Sequence, residues 1–179
     1  MRARGFLAGL ARDRRGVSAV EFALVAPVLV IFYFGLAEFC QGYMAEKRMG
    51  HVTAMVADLT AQEDEVTPSQ ISDFFAIGAL IMKPYSAGPL KLRVSSVTKD
   101  ANGVAKVDWS QGSGMTALEP GATVTVPADM IGANESLVVS EATYDYDSPV
   151  DYLMAPITQF SHVYYLRPRT TETTECPAC

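Results

Sequence analysis

The chain has 179 residues, 49% of them apolar, and a formal net charge of −6, which suits one domain with an appendage. The charge is divided: residues 1–16 hold five arginines against one aspartate, and the remainder carries 9 basic and 19 acidic residues, a net of −10. A body this acidic excludes the basic footprint of a nucleic-acid-binding protein, and arginines confined to a short leader report topology rather than binding.

The first element is RRGVSAVEFALVAPVLVIFYFGLAEFC, residues 14–40. Phe22 to Ala37 carries no charge and as a helix covers about 24 Å. Counted from Val17, the stretch covers about 31 Å, close to the hydrocarbon thickness of about 30 Å. The predicted membrane span is therefore 17–37, and it includes Glu21. The arginines ahead of it place the N-terminus in the cytoplasm and residues beyond about 40 outside it. Ala37 is followed by Glu38, Phe39 and Cys40, a poor site for the peptidase that removes secretory signals, so the apolar stretch is expected to stay on the protein. A buried helix in a soluble core accounts less well for the length and the arginine flank.

The helix is predicted to run on to about residue 62. Gly35, Gly42, Met49, Val52, Val56 and Leu59 recur near the 3.5-residue seam of packed helices. Gly35 and Gly42 are small enough to admit another helix, although glycine is frequent in membrane helices anyway. Pro27 cannot donate its helical hydrogen bond, so a kink or local unwinding is expected there.

Gly16, the Val-Ser-Ala-Val-Glu-Phe that follows it and the basic leader resemble the class III signal of pilins and pseudopilins. More narrowly, RRGVSAVEFALVAPVLVIFYFGLAEF resembles the TadE-like family of Tad (Flp) pilus systems. Trp109-Ser110, Tyr144-x-Tyr146 and Tyr165-Leu-Arg-Pro-Arg169 add weaker likeness. The resemblance implies cleavage between Gly16 and Val17 by a membrane-embedded prepilin peptidase, retention of the helix, and no catalytic residues. Its implied partners are membrane lipid, other pilins or pseudopilins and the Tad inner-membrane assembly proteins. It implies a single pass through the bacterial inner membrane with the C-terminal domain in the periplasm, and a minor rather than repeating subunit.

An ionised Glu21 in lipid costs about 2.5–3.5 kcal/mol on insertion scales. It is tolerated near the interface, protonated, or beside a cation. Cleavage would create such a cation, the α-amino group of Val17, four residues away on the same helix face. Pairing with the Glu21 of a neighbouring subunit would set the stagger between helices, and head-to-tail contacts of that kind build filaments. Glu21 and Phe22 are thus expected in assembly, together with Pro27, Gly35 and Gly42.

Beyond a polar break at 61–65, Thr67-Pro-Ser-Gln70 predicts a capped helix start. Ile71, Phe74, Phe75, Gly78, Ile81 and Met82 form its apolar face, and Lys83-Pro84 ends it. The period then becomes two. Residues 90–98 and 104–109 read as a hairpin around Asp100–Gly103, with Ala105, Val107 and Trp109 sharing a face. Gly112-Ser-Gly114 reads as a flexible loop, 123–126, 136–146 and 159–166 as further strands, and 167–179 as a loose tail. The predicted architecture is α+β and pilin-like: a long transmembrane helix, a short helix and a four- to five-strand antiparallel sheet. Its parts are a leader (1–16), the long helix (17–62), an exported domain (63–166) and the tail.

Little suggests chemistry. His51 and His162 are far apart, and Asp145, Asp147 and Asp151 lack the spacing of a calcium loop. Cys176-Pro-Ala-Cys179 ends the chain. A structural disulfide is expected in an oxidising compartment, with half a zinc site or thiol exchange as the alternatives. Cys40 reads as a buried free thiol, with a cross-link between subunits as the alternative. No cofactor, metal or small-molecule substrate is expected. Three roles follow: a processed pilus subunit, an uncleaved anchored scaffold of the secretion apparatus, or a thiol enzyme built on Cys176 and Cys179.

Overall fold

The computed structural model describes residues 16–127, 130–148 and 157–179. The leader, apart from Gly16, and Asp151 lie outside them. Helix α1 (Val17–Ala61) is continuous through Pro27 and is followed by α2 (Pro68–Ile81). The strands are β1 (Leu90–Lys99), β2 (Ala105–Ser113), β3 (Ser136–Asp147) and β4 (Ile157–Leu166). They pair antiparallel in the order β2-β1-β3-β4. The architecture is α+β with one long N-terminal apolar helix.

The upper half of α1 and all of α2 lie on one face of the sheet. Helix α2 starts on the expected capping box: the Thr67 hydroxyl accepts from Gln70 N–H, and the Gln70 side chain accepts from Thr67 N–H. At its other end Arg48 of α1 donates to the Ile81 carbonyl, placing a cation where unsatisfied carbonyls and the helix dipole favour one. Between the helices and the sheet lie Met49, Val52, Val56, Ile71, Met82, Leu92, Val94 and Val138, all at most 2% exposed. Each contributes about 1.5–3 kcal/mol relative to an exposed side chain.

A second apolar layer covers the other face of the sheet, where Val97, Ala105, Val107, Leu137 and Val139 pack under Leu118, Val124 and Val126. The alternation at 123–126 serves this layer and is not a fifth strand. The segment touches β2 through one bridge, Lys106 to Thr123, with Val107 N–H bonded to the Ala122 carbonyl and Val124 N–H to the Ala105 carbonyl. Those bonds cover part of an edge that would otherwise be open to pairing.

A β-bulge separates the expected stripe of β2. Ser96 pairs with Trp109 while Val97 pairs with Val107, leaving Asp108 as the additional residue. The hydroxyls of Ser96 and Thr98 both donate to its carboxylate. Ala105 and Val107 therefore join the outer layer, and Trp109 turns to the helix side. Gly112 and Ser113 complete β2 rather than forming a free loop. A Cβ on Gly112 would lie 2.0 Å from the Met115 carbonyl oxygen, so the chain can double back there only on glycine.

Residues 167–179, expected to be loose, form a strap across the end of α1. Arg169 N–H donates to the terminal Ala61 carbonyl, Glu175 N–H to Asp64, and Val66 N–H to Glu175, satisfying groups a helix end leaves unpaired. The Trp109 indole donates to the Thr174 carbonyl at 2.8 Å. Cys176 packs on the core and is disulfide-bonded to Cys179. Composition offered no hint of this, since the anchors are main-chain groups or side chains distant in sequence, such as Trp109, Glu135 and Ser136.

Gly78 marks the crossing of the helices. A Cβ there would approach Val52 Cγ1 to 2.8 Å, with Val56 and Leu92 close behind. Gly78→Val is expected to lower stability by about 1–3 kcal/mol through overpacking, seen as a reduced Tm in circular-dichroism melts of the detergent-solubilised protein. An unchanged Tm would mean that the crossing is not close.

Candidate functional site

Helix α1 has two faces and two halves. Along its upper half one seam is buried in the chain's own domain: Gly35, Glu38, Gly42, Ala45, Met49, Val52, Val56 and Thr60. Steps of three and four keep these on one stripe. Leu59, expected on the seam, is only half-buried, and Thr60 takes that place. The lower half is bare. From Gly16 to Phe34 every residue is exposed except the half-buried Ala26. The helix holds an 18-residue window of mean hydropathy 2.2, none of it buried. Burial contributes nothing to this stretch in water, so its composition makes sense only against an apolar surrounding.

Gly16 is the N-cap of α1, with φ −88° and ψ −6°, and a Cβ added to it would have no heavy atom within 4 Å. Any L-residue fits that backbone. Val17 and Phe22 are exposed, Phe22 by 70%. Glu21 is exposed and forms no ion pair among the described residues. Val17 and Glu21 lie one turn apart on the same side. Gly35 and Gly42, expected to receive another helix, lie buried on the seam of this chain instead. Pro27, within the exposed half, interrupts no secondary structure.

Glu38 is the site residue that the sequence reading passed over. It is 0% exposed, and its Oε1 accepts from the Ser148 hydroxyl at 2.6 Å across 110 residues of chain. A buried carboxylate is tolerated only with hydrogen-bond partners. Its place midway between Gly35 and Gly42 was the available signal, since a seam at 35, 42 and 49 demands occupants at 38 and 45. Around it the lower end of the domain is aromatic. Tyr85 donates to the Gln41 carbonyl, and Tyr146 stacks with Phe160 and meets Tyr85 edge to face. Burial raises the Tyr146 phenol above its ordinary value of 10.0, helped by the neighbouring Tyr85 and by the negative charge of Glu38. Tyr144, whose hydroxyl donates to the Ser86 carbonyl, is raised mainly by burial as well.

The remaining candidates stay apart. No group of three or more His, Cys, Asp or Glu side chains close enough to hold a metal occurs among the described residues. His51 is exposed, and His162 packs on Gly50. Asp145 accepts from Gln159 and Lys91, which hold its carboxyl below the usual carboxylate range. Cys40, expected to be buried, is free and exposed, because it lies off the stripe of α1 that the domain covers.

A long exposed apolar helix that carries a small α+β head defines a class of protein able to anchor in a membrane by one element. Comparison makes the class narrower: residues 16–58 match the family described as TadE-like protein. The match begins at Gly16 and follows α1 almost to its end. No curated protein and no solved structure matches the chain.

The raised Tyr146 sets an alkaline limit. A phenol held neutral by the fold stabilises fully below its unfolded value near 10, and that contribution is lost as the pH rises beyond it. Guanidinium unfolding at pH 8 and at pH 11 is expected to show wild type losing more stability than Tyr146→Phe over that interval. Equal losses would mean that burial leaves this ionisation untouched.

Proposed function

We propose that the protein is a non-enzymatic subunit of a Tad (Flp-type) pilus, a minor pilin or pseudopilin. It enters the bacterial inner membrane through α1, with its N-terminus in the cytoplasm and its α+β domain in the periplasm. A prepilin peptidase cuts between Gly16 and Val17. The trimmed helix then stacks against those of other pilins, with the new Val17 ammonium answering a Glu21 carboxylate. The chain also touches membrane lipid and the Tad inner-membrane assembly proteins.

The observation that carries this reading is the idleness of Gly16 in the fold. Its backbone is ordinary, its surroundings are open, and nothing about forming α1 requires glycine there. A glycine without a structural task, at the junction between a basic leader and an exposed apolar helix, fits a residue read by another protein. The exposed Glu21 one turn into the helix, which forms no ion pair among the described residues, fits the same reading, because a freed Val17 ammonium would give its carboxylate a partner on the same face.

The idleness makes the test clean. Gly16→Ala is expected to leave the Tm unchanged while the protein purified from its native cells keeps the leader. Wild type should begin at Val17 by intact mass. Glu21→Ala is expected to lose its leader normally and to reduce pili on the cell surface by about tenfold or more, as loss of about 1.4 kcal/mol at each contact would do. A wild-type protein that still begins at residue 1 would overturn processing and favour an uncleaved anchored scaffold.

A further inference from the structure

The composition of α1 puts the outer membrane boundary at Ala37 because Glu38 is charged. The structure removes that reason, since Glu38 is wholly covered by the folded domain and hydrogen-bonded to Ser148. The opposite side of the helix continues without a break in its apolar character. Phe32, Leu36, Phe39 and Tyr43 are all exposed, by 51–68%, and steps of three and four keep them on one face. Phe39 and Tyr43 are stacked with centroids 6.5 Å apart. Lys47 follows one turn later, its ammonium 5.3 Å from the centre of the Tyr43 ring. Aliphatic, then aromatic, then cationic is the order met on leaving hydrocarbon for headgroups, where tyrosine is enriched and lysine extends toward phosphate.

We propose that the Phe39–Tyr43–Lys47 face of α1 is seated in the outer interface of a phospholipid bilayer, so that on this face the span runs from Phe22 to Tyr43, while on the opposite side the lower edge of the domain covers the helix from Gly35 upward. This rests on the membrane reading of α1 given above. Those 22 residues cover about 33 Å, against a hydrocarbon core of about 30 Å. Glu21 then falls at the inner interface, where an ionised carboxylate costs little. Lys47 stands about 6 Å beyond Tyr43, at phosphate depth. Glu38 is the only charge between Phe22 and Tyr43, and the domain shields it from lipid. That is the independent mark of a helix segment clothed on one side and immersed on the other. The domain also reaches this depth, since the Tyr85 hydroxyl donates to the Gln41 carbonyl.

Cys40 is a native probe for the proposal. It is exposed beside Phe39 and is the only free thiol among the described residues, Cys176 and Cys179 being bonded. The full chain is placed in phosphatidylcholine–phosphatidylglycerol vesicles, and the rate of modification by a charged methanethiosulfonate is measured. Two references, made in a Cys40→Ser background, are Val25→Cys in mid-span and His51→Cys, which lies three turns above Cys40 on the same face and is exposed. Cys40 is expected to react about tenfold or more slowly than the reference at 51, because a thiolate forms poorly outside water. A nitrobenzoxadiazole label on Cys40 should be quenched more by lipids doxylated near the headgroup than near the chain end. If Cys40 reacts as fast as the reference at 51 while that at 25 is protected, the membrane reading stands and this proposal fails. If all three react alike, the membrane reading itself fails. Protection of Cys40 that disappears as the protein-to-lipid ratio is lowered would give the face to a second copy and overturn the proposal.

Discussion

The packing of one stripe of α1 against the sheet is the interaction on which the rest depends. A helix of 45 residues cannot be covered by a domain this small, so the chain divides it. The seam from Gly35 to Thr60 is buried and supplies much of the core through Met49, Val52 and Val56. Everything before it is left to another environment. The helix is thus at once the hydrophobic spine of the folded head and an exposed apolar rod long enough to cross a membrane, and no flexible linker separates the two. A rigid join of this kind fixes the height and direction of the domain relative to whatever receives the lower half.

Two features protect that arrangement where it is most exposed to failure. At the top, the C-terminal strap bonds the last carbonyl of α1 and crosses from Asp64 to Trp109, so that the helix end does not fray. At the bottom, Glu38 and Ser148 join the helix to the end of β3. A buried carboxylate is a costly way to hold a helix, but it enforces one register, because slipping the helix by a turn would bury the acid without its partner. The aromatic group of Tyr85, Tyr146 and Phe160 fills the space beside it.

The TadE-like match ends near the top of α1 and does not extend into the sheet that α1 supports. Physically this is reasonable. The lower part of the helix is apolar on every side, which leaves few residue types open to it. The sheet need only present the correct apolar face to the seam and is otherwise free to vary.

Much of this was legible in the chain itself. The apolar run, its length and its arginine flank, the Thr67–Gln70 capping box, the β1–β2 hairpin and the α+β order all follow from local periodicity and composition, because each is decided by residues within a turn or two of one another. The face on which Trp109 lies, the covering role of 123–126, the anchoring of the tail and the burial of Glu38 were decided only by tertiary contacts. A single bulge at Asp108 reverses a strand's faces without any mark in its alternation. Likewise, a glutamate in an apolar helix reads the same whether it meets lipid, water or a serine 110 residues away, and only the folded chain brings that serine to it.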